Sequence, residues 1–134
     1  MVLANDEDSL MVYGLIQKAN GTESVDSATS FANEAMSYSK KKKYLDGVLK
    51  VAKYFGKQYA KTGKLEESIK LYQELILEFS FNKTQLSAAY NQVGIYHVYM
   101  GHYDSTETYF LKALEMRKQM LDSLGIGASL NNLG

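Results

Sequence analysis

The chain has 134 residues, enough for one domain with its own core, and its Lys and Arg residues balance its Asp and Glu residues at a formal net charge of zero. Zero net charge gives no general attraction to nucleic acid or anionic membranes, and the absence of cysteine excludes disulfides, thiolate metal sites and cysteine nucleophiles. No apolar run is long enough to span a membrane, and the amino terminus lacks a signal-peptide pattern, so we expect no membrane contact within this segment.

Helices are predicted throughout, because the chain contains no proline and its helix-breaking residues fall in separate clusters. Helices of about 12 to 16 residues, a normal length, are expected between such breaks, and the prediction is an all-α fold. The first helix should follow a short acidic lead and be capped near Asp8 or Ser9. The clusters lie at 19–27, around Gly63, at 80–84, around Gly101 and at 122–127.

An internal repeat organises these helices into pairs. Residues 51–79 align with residues 89–116 at a shift of 38, which matches Gly56 with Gly94 and Gly63 with Gly101. Weaker similarity at a shift of 40 relates 25–39 to 65–79 and 130–134 to 90–94. The predicted organisation is one domain, 1–134, built from approximate units 9–43, 46–82 and 86–122 and a partial helix 124–134.

The residues at fixed places in the third unit resemble those of tetratricopeptide (TPR) repeats. They are Tyr90, Val93, Gly94, His97, Gly101, Tyr103 and Ala113, and the second unit matches them with Phe55, Gly56, Tyr59, Gly63, Leu65 and Tyr72. The closing proline is absent and the period is longer than the usual 34 or so residues. This long-period form is similar to TPR arrays of bacterial signalling regulators and sensor-kinase input domains.

The resemblance implies a right-handed α-solenoid of antiparallel helix pairs, in which the first (A) helix of each pair lines a concave groove. Such arrays are non-catalytic protein-interaction scaffolds, so we expect no enzyme activity and no cofactor. Two glycines, Gly63 and Gly101, should end A helices in the left-handed conformation, while Gly56 and Gly94 should let the second (B) helix approach closely. In the A helix of the second unit, the expected packing face is Leu49, Ala52, Phe55, Gly56 and Tyr59.

The two histidines, His97 and His102, lie near Asp104, which is expected to cap a B helix. A metal or catalytic site is one hypothesis, and a structural role is the other. The five-residue spacing differs from the four that places two ligands on one helix face, and His97 stands at the packing-tyrosine position of the motif. We therefore predict no metal site and no catalytic residue.

Tyrosines recur at helical spacing, as in a packed core or a base-stacking platform. Core packing is favoured for Tyr59, Tyr72, Tyr90, Tyr103 and Tyr109, because their positions repeat from unit to unit.

Lysines give the main functional hypothesis. On the A helix of the second unit, one side carries Lys50, Lys53, Lys57 and Lys61, with no acidic residue after Asp46. By the resemblance this side faces the groove, where ammonium groups would attract the carboxylates of an acidic peptide or protein segment. A solvated face and a site for nucleic-acid phosphates are the alternatives. Equivalent positions in the other repeats complete the predicted groove. They are Asn91, Ile95 and Tyr99 in the third repeat, Tyr13 and Gln17 in the first, and Asn131 in the partial last one.

Two further hypotheses concern the rest of the chain. The region Lys40–Lys64 contains nine basic residues and a single acidic one, Asp46, so a nucleic-acid-associated module is the alternative function. At the other end, the predicted partial helix would carry Leu130 and Leu133 without a predicted partner helix, which favours a fragment of a larger regulatory protein and allows homo-oligomer formation through this helix. The compartment is left open: the cytoplasm is favoured, and an extracytoplasmic sensor segment is the alternative.

Overall fold

The computed structural model describes the backbone of residues 6–124 and the side chains of residues 7–122. Within that part of the chain all regular secondary structure is helical, which confirms the predicted all-α fold. The first helix begins at Asp6, slightly before the predicted cap. None of these helices is long and apolar enough to cross a bilayer. The helices are α1 (Asp6–Gly21), α2 (Val25–Lys41), α3 (Leu45–Lys61), α4 (Leu65–Glu78), α5 (Lys83–Tyr99) and α6 (Tyr103–Leu124).

The helix bounds follow the period of the sequence. Helices α3 and α5 both have 17 residues, and their first and last residues are 38 positions apart. Helices α4 and α6 begin 38 positions apart as well, at Leu65 and Tyr103. The helices form two compact units, which differ from the sequence repeats described above. Unit 1 (Met1–Lys64) holds α1 to α3, and unit 2 (Leu65–Gly134) holds α4 to α6.

Three helices end in the same way, with one residue at positive φ. Gly63 after α3 (φ 76°) and Gly101 after α5 (φ 75°) adopt the predicted left-handed conformation. The amide after each glycine donates to a carbonyl five residues earlier: Lys64 to Tyr59 at 2.8 Å and His102 to His97 at 2.9 Å. Helix α2 ends likewise, but there Lys43 (φ 54°) takes the glycine position, a conformation that lysine rarely adopts.

Unit 1 is held together by α2 packing on both α1 and α3, with α1 also touching α3. Its main buried cluster is Val12, Leu15, Ala35 and Val51. The predicted packing face of α3 is only partly correct. Ala52 and Gly56 are buried as expected, but Leu49, Phe55 and Tyr59 are half-buried, and the full burial falls on Val48, Val51 and Tyr54. Apolar residues cover more than half of the α3 circumference, and the positions of α1 and α2 decide which are enclosed.

In unit 2, α5 packs against both α4 and α6. Val93 and Tyr96 of α5 and Ala113 of α6 are buried. At Gly94 the α6 side approaches so closely that an added Cβ would lie 2.5 Å from the Phe110 ring, which confirms the predicted role of this glycine. Burial of Tyr72 on α4 completes the core, with its ring centroid 6.1 Å from that of Tyr96.

A hydrogen bond in unit 1 gives a prediction about tyrosine ionisation. Tyr38 Oη donates to Asp8 Oδ1 at 2.6 Å. That bond, together with partial burial and the charges of Asp8 and Glu7, raises the pKa of Tyr38 from 10.0 to about 12. Stability linked to this proton is present below pH 10 and is lost as the pH rises towards 12.

Asp8→Asn should therefore lower the pKa of Tyr38 towards 10, as measured by NMR titration of the tyrosine ring carbons. The control is Glu23→Gln, which removes an exposed carboxylate elsewhere in unit 1 and should leave the Tyr38 titration where it was. An identical Tyr38 titration in the wild type and in Asp8→Asn would contradict the assignment.

Candidate functional site

The lysines of α3 form a continuous exposed stripe. Lys50, Lys53, Lys57 and Lys61 are all exposed, and their spacing of three and four residues keeps them on one side of the helix. Ammonium groups at such helical neighbours repel one another. Because α3 has no acidic residue after Asp46, that repulsion is not relieved within the helix. The stripe is therefore a surface that an anionic ligand would stabilise.

Helix α1 contributes to the same surface. Lys50 Nζ lies 5.5 Å from the centroid of the Tyr13 ring, a cation–π distance. Gln17 Nε2 donates to Tyr13 Oη at 2.8 Å, and Tyr13 is itself 49% exposed. Tyr13 and Gln17 on α1 and Lys50 on α3, all predicted groove residues, therefore lie next to one another. We call the set Tyr13, Gln17, Lys50, Lys53, Lys57 and Lys61 the lysine face.

A cleft of about 540 Å³ in unit 1 begins where the stripe ends. The end of α1, the start of α2 and the end of α3 line it, and Lys61 belongs both to the lining and to the lysine face. Tyr54, Phe55 and Tyr59 supply aromatic surface, and Lys64 adds a second ammonium group. The sequence did not indicate this cleft, because its aromatic residues stand at positions that also suit an ordinary core.

Unit 2 carries three more of the predicted groove residues. Asn91 and Ile95 on α5 are half-buried, whereas Tyr99 is 66% exposed at the end of that helix. The exposure of Tyr99 agrees with its predicted place away from the packing face. Asn131, Leu130 and Leu133 lie outside the described residues. Helix α6 does expose apolar side chains at Leu111, Leu114 and Leu121, and the expected self-association through the carboxyl-terminal end stays a prediction.

The tyrosines mostly pack as predicted, with one error. Tyr72 is buried, while the half-buried Tyr90 and Tyr109 rings lie with centroids 6.1 Å apart. Tyr103 is 74% exposed, so the expectation that it packs was wrong. Thr106, one turn later, is the buried residue, and its hydroxyl donates to the carbonyl of His102 at 2.9 Å and lies 3.5 Å from that of Gly94.

The histidines are closer together than their spacing suggested. His97 Nδ1 and His102 Nδ1 are 3.3 Å apart, and the His97 ring stacks on Tyr109 with centroids 5.5 Å apart. Partial burial, and secondarily the charge of His102, lowers the pKa of His97. Asp104 lies in the first turn of α6 rather than before it. No group of three or more His, Asp or Glu residues within the described part of the chain is arranged to hold a metal ion.

Comparisons of the chain with protein-family models, with curated proteins and with solved structures found no match. Its function has to be inferred from its own residues and their geometry.

Proposed function

We propose that this protein is a non-catalytic binding scaffold, a TPR-like α-solenoid whose lysine face captures an acidic segment of a partner protein. The observation that carries the proposal is the contact of Lys50 with Tyr13, because it joins α1 and α3 into one surface. In a solenoid of the TPR type these would be A helices of successive units, and their shared side would line the groove.

The repeated helix geometry supports the architectural half of the proposal. Helices α3 and α5 have equal lengths and are followed by glycines with nearly identical positive φ. In such an array, each helix-pair repeat has apolar surface that the next repeat covers, so stability comes from the contacts between neighbouring repeats. A right-handed stack of antiparallel pairs is the arrangement that the TPR-like motif residues favour.

The energetics of exposed charges define what the partner must offer. A single exposed ion pair contributes about 0.2–1 kcal/mol, so the stripe alone gives weak, salt-sensitive binding. Additional affinity has to come from desolvated apolar contact. The cleft beside Lys61 provides aromatic surface for that purpose. The proposed ligand is thus an extended acidic segment with a bulky apolar side chain next to its carboxylates.

The test is fluorescence anisotropy with a short labelled peptide rich in Glu and containing Leu and Tyr. We expect saturable binding that weakens as salt rises, and no binding of a Lys-rich peptide of the same length. A labelled single-stranded oligonucleotide tests the alternative based on Lys40–Lys64. Oligonucleotide binding with a steep salt dependence, and no preference for the acidic peptide, would replace the proposal by that alternative.

A further inference from the structure

The turn between α5 and α6 brings together two side chains that a continuous helix would separate. Residues five apart on an α-helix point about 140° away from each other. Here α5 ends at Tyr99, and Gly101 with φ 75° reverses the chain. The amide of His102 then donates to the carbonyl of His97 at 2.9 Å, which fixes the turn. As a result, the Nδ1 atoms of His97 and His102 face each other at 3.3 Å.

We propose that His97 and His102 form a two-imidazole site for a late first-row divalent metal ion, namely Zn²⁺, Ni²⁺ or Cu²⁺. Imidazole nitrogens suit these ions. With zinc–nitrogen bonds of about 2.0–2.1 Å, the 3.3 Å between the nitrogens corresponds to an N–metal–N angle of roughly 105°, close to tetrahedral. This site is independent of the lysine face and of the function proposed for it.

The His97 ring is already held in place. His97 stacks on the Tyr109 ring with an interplanar angle of 18°, and Tyr109 Oη accepts a hydrogen bond from Gln73 Nε2 at 3.0 Å. Without metal, a protonated Nδ1 of one ring can donate a hydrogen bond to the unprotonated Nδ1 of the other at 3.3 Å. When both neutral rings carry their proton on Nε2, both Nδ1 atoms have a free lone pair, and at 3.3 Å they are close enough to ligate one ion.

The surroundings allow an ion to enter. A cleft of about 400 Å³, lined by residues 101–105 and thus by His102 and Asp104, opens at this turn. No third ligand comes from the His, Asp and Glu residues of the described region. The other coordination positions are therefore left to water or to a carboxylate of a bound partner.

Isothermal titration calorimetry of the untagged, chelator-treated full chain with Zn²⁺ and with Ni²⁺ tests the site, because a histidine tag would bind both ions. We expect one ion per chain. His97→Gln and His102→Gln should each weaken binding on the order of tenfold or more, since even loss of an outer-shell partner has effects of that size. With Cu²⁺, electron paramagnetic resonance should show two coordinated nitrogens in the wild type and one in each variant.

Asp104→Asn is the matched control and should keep the two-nitrogen Cu²⁺ spectrum. His102 is exposed, so His102→Gln should retain the fold even if His97→Gln disturbs the stack on Tyr109; circular dichroism checks both. Absence of binding by the wild type would overturn the proposal. Equal binding by the wild type and by a variant lacking both histidines would overturn it as well.

Discussion

Reversing two charges on the lysine face, by Lys53→Glu together with Lys57→Glu, is expected to remove binding of the acidic peptide. Each reversal eliminates an attraction of a few tenths to 1 kcal/mol and adds a repulsion of similar size. Two reversals should thus cost about 2 kcal/mol, or roughly thirtyfold in Kd, as measured by fluorescence anisotropy at low salt. Both side chains are exposed on α3, so the thermal unfolding temperature should stay close to that of the wild type.

The matched control is Lys83→Glu with Lys118→Glu. Both lysines are exposed in unit 2, and the pair changes the net charge by the same amount. The control should bind the acidic peptide nearly as well as the wild type, because the affinity depends on where the charges lie. Unchanged binding by Lys53→Glu with Lys57→Glu would refute the role of the lysine face. An equal loss in both pairs would show that only total charge matters.

The second large effect concerns the stability of unit 2, where Gly94→Ala should be destabilising. The new Cβ would lie 2.5 and 2.6 Å from two carbons of the Phe110 ring, closer than carbon atoms can pack. Phe110 is 38% exposed, so its ring can move towards solvent, and the α5–α6 contact then loses that packing. We expect a loss of about 1–3 kcal/mol in the free energy of unfolding, measured by urea denaturation.

Gly14→Ala provides the opposite case. Gly14 lies inside α1, and an added Cβ would meet no atom within 4 Å. Replacing such a helical glycine should raise the free energy of unfolding by about 0.4–1 kcal/mol, because alanine restricts the unfolded chain and favours the helix. The two alanine variants should therefore move the urea midpoint in opposite directions. Stabilisation by Gly94→Ala would show that α6 does not need the close approach at this glycine.

The histidines show how local sequence reasoning can mislead. Spacing along a helix predicts side-chain separation only while the helix continues. Gly101 interrupts it, and the reversal places His97 and His102 within 3.3 Å. The sequence marks Gly101 as a turn residue, but the direction of the reversal and the Tyr109 ring that stacks on His97 are features of the packed unit. Predicting the distance between these two imidazoles therefore requires the fold.

By itself, the sequence determined the helices, their approximate ends and the exposure of the lysines. These features depend on local chemistry: no proline interrupts a helix, glycine at 63 and 101 allows positive φ, and lysines at helical spacing share one side. Tertiary structure alone decided which residues of α3 are enclosed, that Thr106 rather than Tyr103 packs, and that Lys43 adopts a left-handed conformation. Burial on α3 and at Thr106 depends on helices that are distant in the sequence. The positive φ of Lys43 is a local strain, which the hydrogen bond from the Tyr44 amide to the Ser39 carbonyl offsets.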